Sequence, residues 1–177
     1  MVDANYWKDK YQDSWSDAST KEEMVRTLIE KECQCRVEYC GLGAGKTDYL
    51  PGTAKSRGFE KGGSDLHVAD TNLYIEVTGP NVVTVDKSQD LWIRPDKIEN
   101  AMKHPENDYW VVHVLKKDSF KRVIHIDYRF KKDYQKNKFS TIKPWTGRAV
   151  ETYVAVPADS PHVQDFSILL KAVRDVV

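Results

Sequence analysis

The run Tyr109-Trp110-Val111-Val112-His113-Val114-Leu115 is almost uninterrupted in its apolar character, and it constrains the fold more than any other segment. A strand with one face in water alternates apolar and polar residues. A strand without that alternation is covered on both faces, as in a sheet lying between two layers. Helical patterns capable of supplying those layers occur on either side of it. From Ser19 to Cys33, Ser19 or Thr20 precedes Glu22 and Glu23 as a capping signal, and Met24, Val25, Leu28 and Ile29 recur at helical spacing. Pro95 opens a second helix, to His104, with Ile98, Ala101 and Met102 on one face, and Pro161 to Val177 reads as a closing helix.

Further strands are predicted over Arg36–Cys40, Ser64–Val68, Leu73–Thr78, Arg122–Phe130 and Glu151–Val156. Ala69-Asp70-Thr71-Asn72 forms the tight turn of a hairpin, and Gly79-Pro80 stops its second strand. Helix, three strands, helix, two to three strands and helix make an α/β or α+β domain with a mixed sheet. The 177 residues suit one domain, expected over 19–177 behind an amino-terminal arm of residues 1–18. No apolar run reaches the roughly 18 residues of a membrane span, and the start of the chain lacks the pattern of a secretory signal. Cys33, Cys35 and Cys40 are odd in number and close together, which favours a reducing, cytoplasmic setting over a disulfide framework. They are half of a zinc site at most, since no second ligand cluster stands at the usual spacing.

Charge is distributed unevenly. The chain is neutral, yet Lys116 to Arg148 holds eleven Lys and Arg against three acids. The same stretch carries Phe120, Tyr128, Phe130, Tyr134, Phe139 and Trp145. Cations interleaved with aromatic rings suit a nucleic acid, the cations on phosphates and the rings on unpaired bases; a solvated hairpin is the plainer alternative.

Two segments carry candidate chemistry. Gly41-Leu42-Gly43-Ala44-Gly45-Lys46-Thr47 ends like a phosphate-binding loop, but position 40 is Cys40 where the pattern needs Gly, and Asp48-Tyr49-Leu50-Pro51-Gly52 is a poor helix start. The glycine-rich stretch from Lys46 to Gly63 is long for a compact domain, and such loops are usually functional or mobile. The second segment is the hairpin. Asp65 on one strand and Glu76 on its neighbour can bring two carboxylates to one edge, a donor set for a hard cation, Mg²⁺ or Mn²⁺. Such a metal activates water and offsets charge on a phosphodiester.

Gly63-Ser64-Asp65-Leu66-His67-Val68, a short turn, then Tyr74-Ile75-Glu76-Val77-Thr78 resembles the active-site hairpin of the PD-(D/E)xK nuclease superfamily. The surroundings agree in order, with a Glu-bearing helix before the hairpin and LWIRPDKIENAMKHPENDYWVVHVL after it, over roughly Ser19 to Leu115. The resemblance implies a restriction-endonuclease-like fold, a mixed central sheet flanked by helices. It also implies a metal-dependent nuclease acting on DNA or RNA, with Asp65 and Glu76 as metal ligands and Glu30 as a further one. Thr78 stands where the family has its Lys, whose charge helps orient water and offset the phosphate. Lys61 is a candidate replacement, as are Lys87 and Lys97. His67, two residues after Asp65, shares its strand face and is the more ordinary hydrogen-bonded histidine.

Lys55, Arg57, Lys116, Lys117, Lys121, Arg122, Arg129, Lys131 and Lys132 are the expected contacts to a nucleic-acid partner, DNA foremost. Many such enzymes act as homodimers or as subunits of larger complexes. The alternative is a non-catalytic module that keeps the fold and binds nucleic acid or a protein, for which Thr78 speaks.

Overall fold

The computed structural model describes residues 4–40, 63–147 and 149–177, with side chains from residue 17 onward. Helix α1 spans Ala4–Cys33. It begins fifteen residues before the helix predicted from Ser19 and runs through the boundary expected at 18/19. Strand β1 (Val37–Tyr39) follows, then the hairpin of β2 (Leu66–Val68) and β3 (Leu73–Thr78). Next come β4 (Leu91–Ile93), α2 (Pro95–Lys103), β5 (Asp108–Val114) and β6 (Lys121–His125). Helix α3 (Tyr128–Gln135), strands β7 (Ser140–Ile142), β8 (Tyr153–Val156) and β9 (Val163–Asp165), and helix α4 (Phe166–Val176) complete the chain.

A six-stranded sheet in the order β1-β2-β3-β5-β6-β9 forms the centre, and β4-β8-β7 make a second, three-stranded sheet. The β3–β5 pair is parallel and the other pairs of the central sheet are antiparallel. The sheet is therefore mixed, as the sequence predicts. A parallel pair needs a crossover between its strands, and β4 with α2 supplies it. The uninterrupted apolar strand is β5, with Tyr109 through Val114 all buried.

Its burial on both sides reflects two separate cores. Ile75, Trp110, Val112 and Val123 point to one face and meet Val25 and Ile29 of α1 and Phe166, Leu169 and Val173 of α4. Tyr109, Val111 and Ile124 point to the other, where they meet Ile98 and Ala101 of α2, Phe130 of α3 and Leu91, Val154 and Val156 of the second sheet. Successive residues of a strand alternate faces, so β5 divides its side chains between the two cores.

The strand predicted over Arg122–Phe130 stops at His125. The Asp127 carboxylate accepts the Phe130 backbone N–H at 2.9 Å, an N-cap that starts α3. Phe130 is then fully buried and Tyr134 packs one turn beyond it. The three-residue strands β4, β7 and β9 carry too few residues to show a period. The predicted closing helix yields its first residues to β9, and Asp165 caps α4 by accepting the Ser167 N–H at 2.9 Å.

The exit of β3 is shaped by Gly79. Its φ is +148°, and a Cβ there would lie 2.0 Å from the Val114 carbonyl oxygen, so a side chain would break the approach of β3 to β5. Lys21 of α1 holds this turn, its Nζ donating to the Gly79, Pro80 and Asn81 oxygens at 2.8–3.0 Å.

Candidate active site

The hairpin register pairs Leu66 with Ile75 and His67 with Tyr74. Continued by one residue, it sets Asp65 opposite Glu76, and the Asp65 N–H donates to the Ile75 carbonyl at 3.1 Å. Leu66 and Ile75 face the α1 and α4 core, so Asp65 and Glu76 face the opposite side, that of α2. Asp65 Oδ2 accepts the Val77 N–H at 2.8 Å, which orients that carboxylate along the hairpin.

Helix α2 places Lys97 against this pair. Its Nζ lies 2.8 Å from Glu76 Oε2 and donates to the Gly63 carbonyl at 2.7 Å. The Lys97 and Glu76 side chains are only 13% and 15% exposed. Lys97 stands in the first turn of α2, which Pro95 opens, while Ile98 and Ala101 anchor the helix in the core. Burial, and then the charge of Asp65, hold the Glu76 carboxyl well above the usual carboxylate range against the pull of Lys97. Burial pulls the Lys97 ammonium down, but Glu76 and Asp65 outweigh it and leave its pKa raised.

Glu22 of α1 is a further buried carboxylate, and it bears on a thiol near the hairpin. Glu22 is 3% exposed, and Glu22, Asp65, Glu76 and Lys97 all act electrostatically on the Cys40 thiol. Cys40 donates to the Ser64 carbonyl at 3.1 Å, and burial first, with the carboxylates behind it, raises its pKa to about 12. It is a neutral wall of the site. Cys33 likewise donates to the Leu170 carbonyl, and all three cysteines are free thiols.

Other predicted residues lie elsewhere. Glu30 stands two turns beyond Glu22, about 12 Å along the helix axis. Its carboxylate is engaged by Arg26 at 3.1 Å and by the Val37 N–H at 2.9 Å, fastening β1 to α1. Thr78 lies two residues beyond Glu76 on β3, in register with His113 of β5. His67 stacks on Tyr74 and its Nε2 is 2.7 Å from the Thr71 carbonyl, so it secures the hairpin turn. Lys55, Arg57, Lys61 and most of the glycine-rich segment lie outside the described residues.

The basic segment divides into several groups. Arg122 is 4% exposed and donates to the Lys87 and Gln89 carbonyls at 2.7 and 2.9 Å, so it braces the loop before β4 and is withdrawn from the surface. Lys116 pairs with Asp17 at 3.0 Å, and Lys121 donates to the Ser119 carbonyl. Lys117, Arg129 and Lys132 are exposed, and Lys131 is half-buried.

Among the described residues, no group of three or more His, Cys, Asp and Glu is arranged to hold a metal ion. Mg²⁺ does not need one, because it keeps several waters and binds proteins through one or two carboxylates. The donor set of Asp65 and Glu76 fits that requirement, and Glu76 Oε2 is buried without a well-directed hydrogen bond.

Sequence reasoning passed over Glu22 as a helix cap and left Lys97 among several lysines. Both carry a signal. Glu22 falls at i, i+3 and i+7 with the buried Val25 and Ile29, a charge within an apolar stripe. Lys97 likewise shares a face with Ala101 one turn on.

The fold is a mixed sheet between helical layers, with two carboxylates on its β2–β3 hairpin and a lysine of α2 reaching one of them. Across the whole chain, it is similar to the structure of D212, a nuclease from a fusselovirus, with a TM-score of 0.50, 14% identity, and 99% of this chain and 95% of that chain covered. Archaeoglobus fulgidus Hjc, a Holliday junction resolvase from an archaeal hyperthermophile, aligns at a TM-score of 0.47 and 11% identity, over 88% of this chain and 96% of that one. No protein-family profile and no curated protein matches the chain.

Proposed function

We propose that the chain is a metal-dependent nuclease of the PD-(D/E)xK type, hydrolysing phosphodiester bonds of DNA or RNA. The observation that carries this reading is the placement of Lys97 at 2.8 Å from Glu76, which returns to the site the cation that Thr78 does not supply. Asp65 and Glu76 are the residues that would hold Mg²⁺ or Mn²⁺. Bound there, the metal would lower the pKa of water and offset charge on the phosphate.

The protein's own groups have distinct tasks. Asp65, fixed by the Val77 N–H, and Glu76, fixed by Lys97, present preorganised oxygens that need no rearrangement at the moment of reaction. The Lys97 ammonium donates toward the attacking water and faces the charge that builds on the phosphate oxygens. Hydrolysis forms a bond between the water oxygen and phosphorus and breaks the phosphorus–oxygen bond to the leaving strand; the proton lost by the water passes to solvent, and the departing oxygen takes one up from solvent. The similarity in fold to D212 supports this reading.

The test is cleavage of plasmid and single-stranded substrates with Mg²⁺ or Mn²⁺ by the wild type, Asp65→Ala and Glu76→Ala, alongside calorimetric titration of Mn²⁺. Metal binding and cleavage that both vanish in the folded variants would establish the reading. Retained cleavage by both variants would sink it. A wild type that neither binds metal nor cleaves would instead be a non-catalytic module of the same fold.

A further inference from the structure

Helix α3 begins a second concavity, away from the carboxylates. It measures about 590 Å³, within the usual range of small-ligand sites, and His125, Tyr128, Arg129, Lys132, Lys136 and His162 contribute to its lining. The arrangement follows from how α3 is anchored. Phe130 is fully buried in the α2-side core and Tyr134 packs against it, so the opposite stripe of Arg129, Lys132 and Lys136 faces outward.

Acids in this concavity are already occupied. Asp133 binds His162 Nε2 at 2.8 Å and Lys138 Nζ at 2.9 Å, and Asp127 caps the helix. Among the described residues no carboxylate makes an ion pair with Arg129, Lys132 or Lys136, and the lining holds four cations, these three and Lys138, against the two carboxylates Asp127 and Asp133, a net positive surface. Beside them Tyr128 is 76% exposed, and Lys132 Nζ sits 5.9 Å from its ring centroid. A tyrosine so exposed gains little from packing beyond its contact with Lys132, but it offers a flat face for stacking.

We propose that this concavity binds an unpaired nucleotide of a polynucleotide, with the base stacked on Tyr128 and the flanking phosphates held by Arg129, Lys132 and Lys136. The cations run over about 10 Å of helix axis, farther than one phosphate group bridges, so they suit a continuous backbone. A base inside a duplex gives its faces to its neighbours, and only an unpaired or extruded base is free to stack on a protein ring. The pocket lies on the side of the sheet that carries Glu76 and Lys97, since α2 and α3 share one core through Ile98 and Phe130. This deepens the nuclease reading by naming a substrate class, nucleic acid with a single-stranded segment.

The test measures binding alone, in EDTA, so its result is independent of cleavage. Fluorescence anisotropy follows a labelled thymidine 20-mer and a blunt duplex of the same length against the wild type, Tyr128→Ala, the triple variant of Arg129, Lys132 and Lys136 to Gln, and Lys117→Gln as an exposed cation outside the pocket. Tyr128→Ala is expected to weaken single-strand binding roughly fivefold or more while duplex binding shifts less than about twofold. The triple variant is expected to weaken single-strand binding and flatten its salt dependence, with Lys117→Gln having the smaller effect. Excess thymidine monophosphate is expected not to compete; competition at micromolar concentration would make the pocket a free-nucleotide site and overturn the proposal. Equal loss on both substrates, no loss in Tyr128→Ala, or no single-strand binding by the wild type would also overturn it. Cleavage that persists in such a case would leave the nuclease reading standing.

Discussion

Lys97 Nζ, on the first turn of α2, lies 2.8 Å from Oε2 of Glu76 in the middle of β3. The two residues are twenty-one positions apart and belong to different layers. Their contact brings a cation from α2 to the carboxylates of the hairpin.

Replacing Lys97 with Met keeps the length and packing of the side chain and removes its charge. The expected result is a folded protein whose cleavage rate falls by roughly 10²–10³, the loss that follows removal of one preorganised electrostatic group. Thr78→Lys placed in that background is expected to recover part of the rate, since residue 78 shares a strand face with Glu76. Single-turnover cleavage at saturating Mg²⁺ reads both.

Metal binding should depend on pH through Glu76. Burial and Asp65 raise its pKa well above the ordinary value, so a cation at this carboxyl competes with a proton more than it would at an ordinary carboxylate. Mn²⁺ affinity is expected to rise with pH, with proton release measurable by titration in buffers of different ionisation enthalpy. Without metal the same raised pKa acts on stability in one direction: its contribution is complete below the unfolded value of about 4.3 and is lost as pH rises through the folded value.

His113 works in the opposite sense. Burial foremost, then Arg122 and Lys21, lower its pKa to about 3, and it stays neutral in the folded protein. The unfolded chain takes up a proton near pH 6.5 that the folded one refuses, so stability is expected to fall as pH drops below that value toward 3. One such group contributes a slope of about 1.4 kcal/mol per pH unit. Urea unfolding at pH 7, 6, 5 and 4 should show a smaller acid loss in His113→Phe than in the wild type.

Arg122→Ala tests a structural role against a surface one. The variant leaves the Lys87 and Gln89 carbonyls without their charged donor, and charged hydrogen bonds are worth about 1.5–3 kcal/mol each. A loss of about 3 kcal/mol in urea unfolding is expected. The salt dependence of nucleic-acid binding by the folded fraction should not change, because the guanidinium does not reach the surface.

The hairpin was legible because its information is local. Asp65 and Glu76 are eleven residues apart, and a tight turn with alternating side chains settles which residues face each other. The strand predicted through Phe130 went past its end because Val123 to Tyr128 alternates, while the Asp127 cap and the burial of Phe130 turn the chain into α3. Arg122 looked like a surface cation because its neighbours in sequence are charged, yet in the sheet it stands beneath the loop before β4.

The sequence by itself determined the class of fold, the strand buried on both faces and the pair of opposed carboxylates, all consequences of periodicity and turn chemistry over a few residues. Only the tertiary structure decided that Lys97, not a residue of the hairpin, contacts Glu76, that Glu22 is buried while Glu30 is engaged by Arg26 and the Val37 N–H, and that α3 turns three cations and Tyr128 toward one concavity. Those choices depend on how α1, α2 and α3 pack on the sheet, and packing joins residues whose separation in the chain carries no local signal.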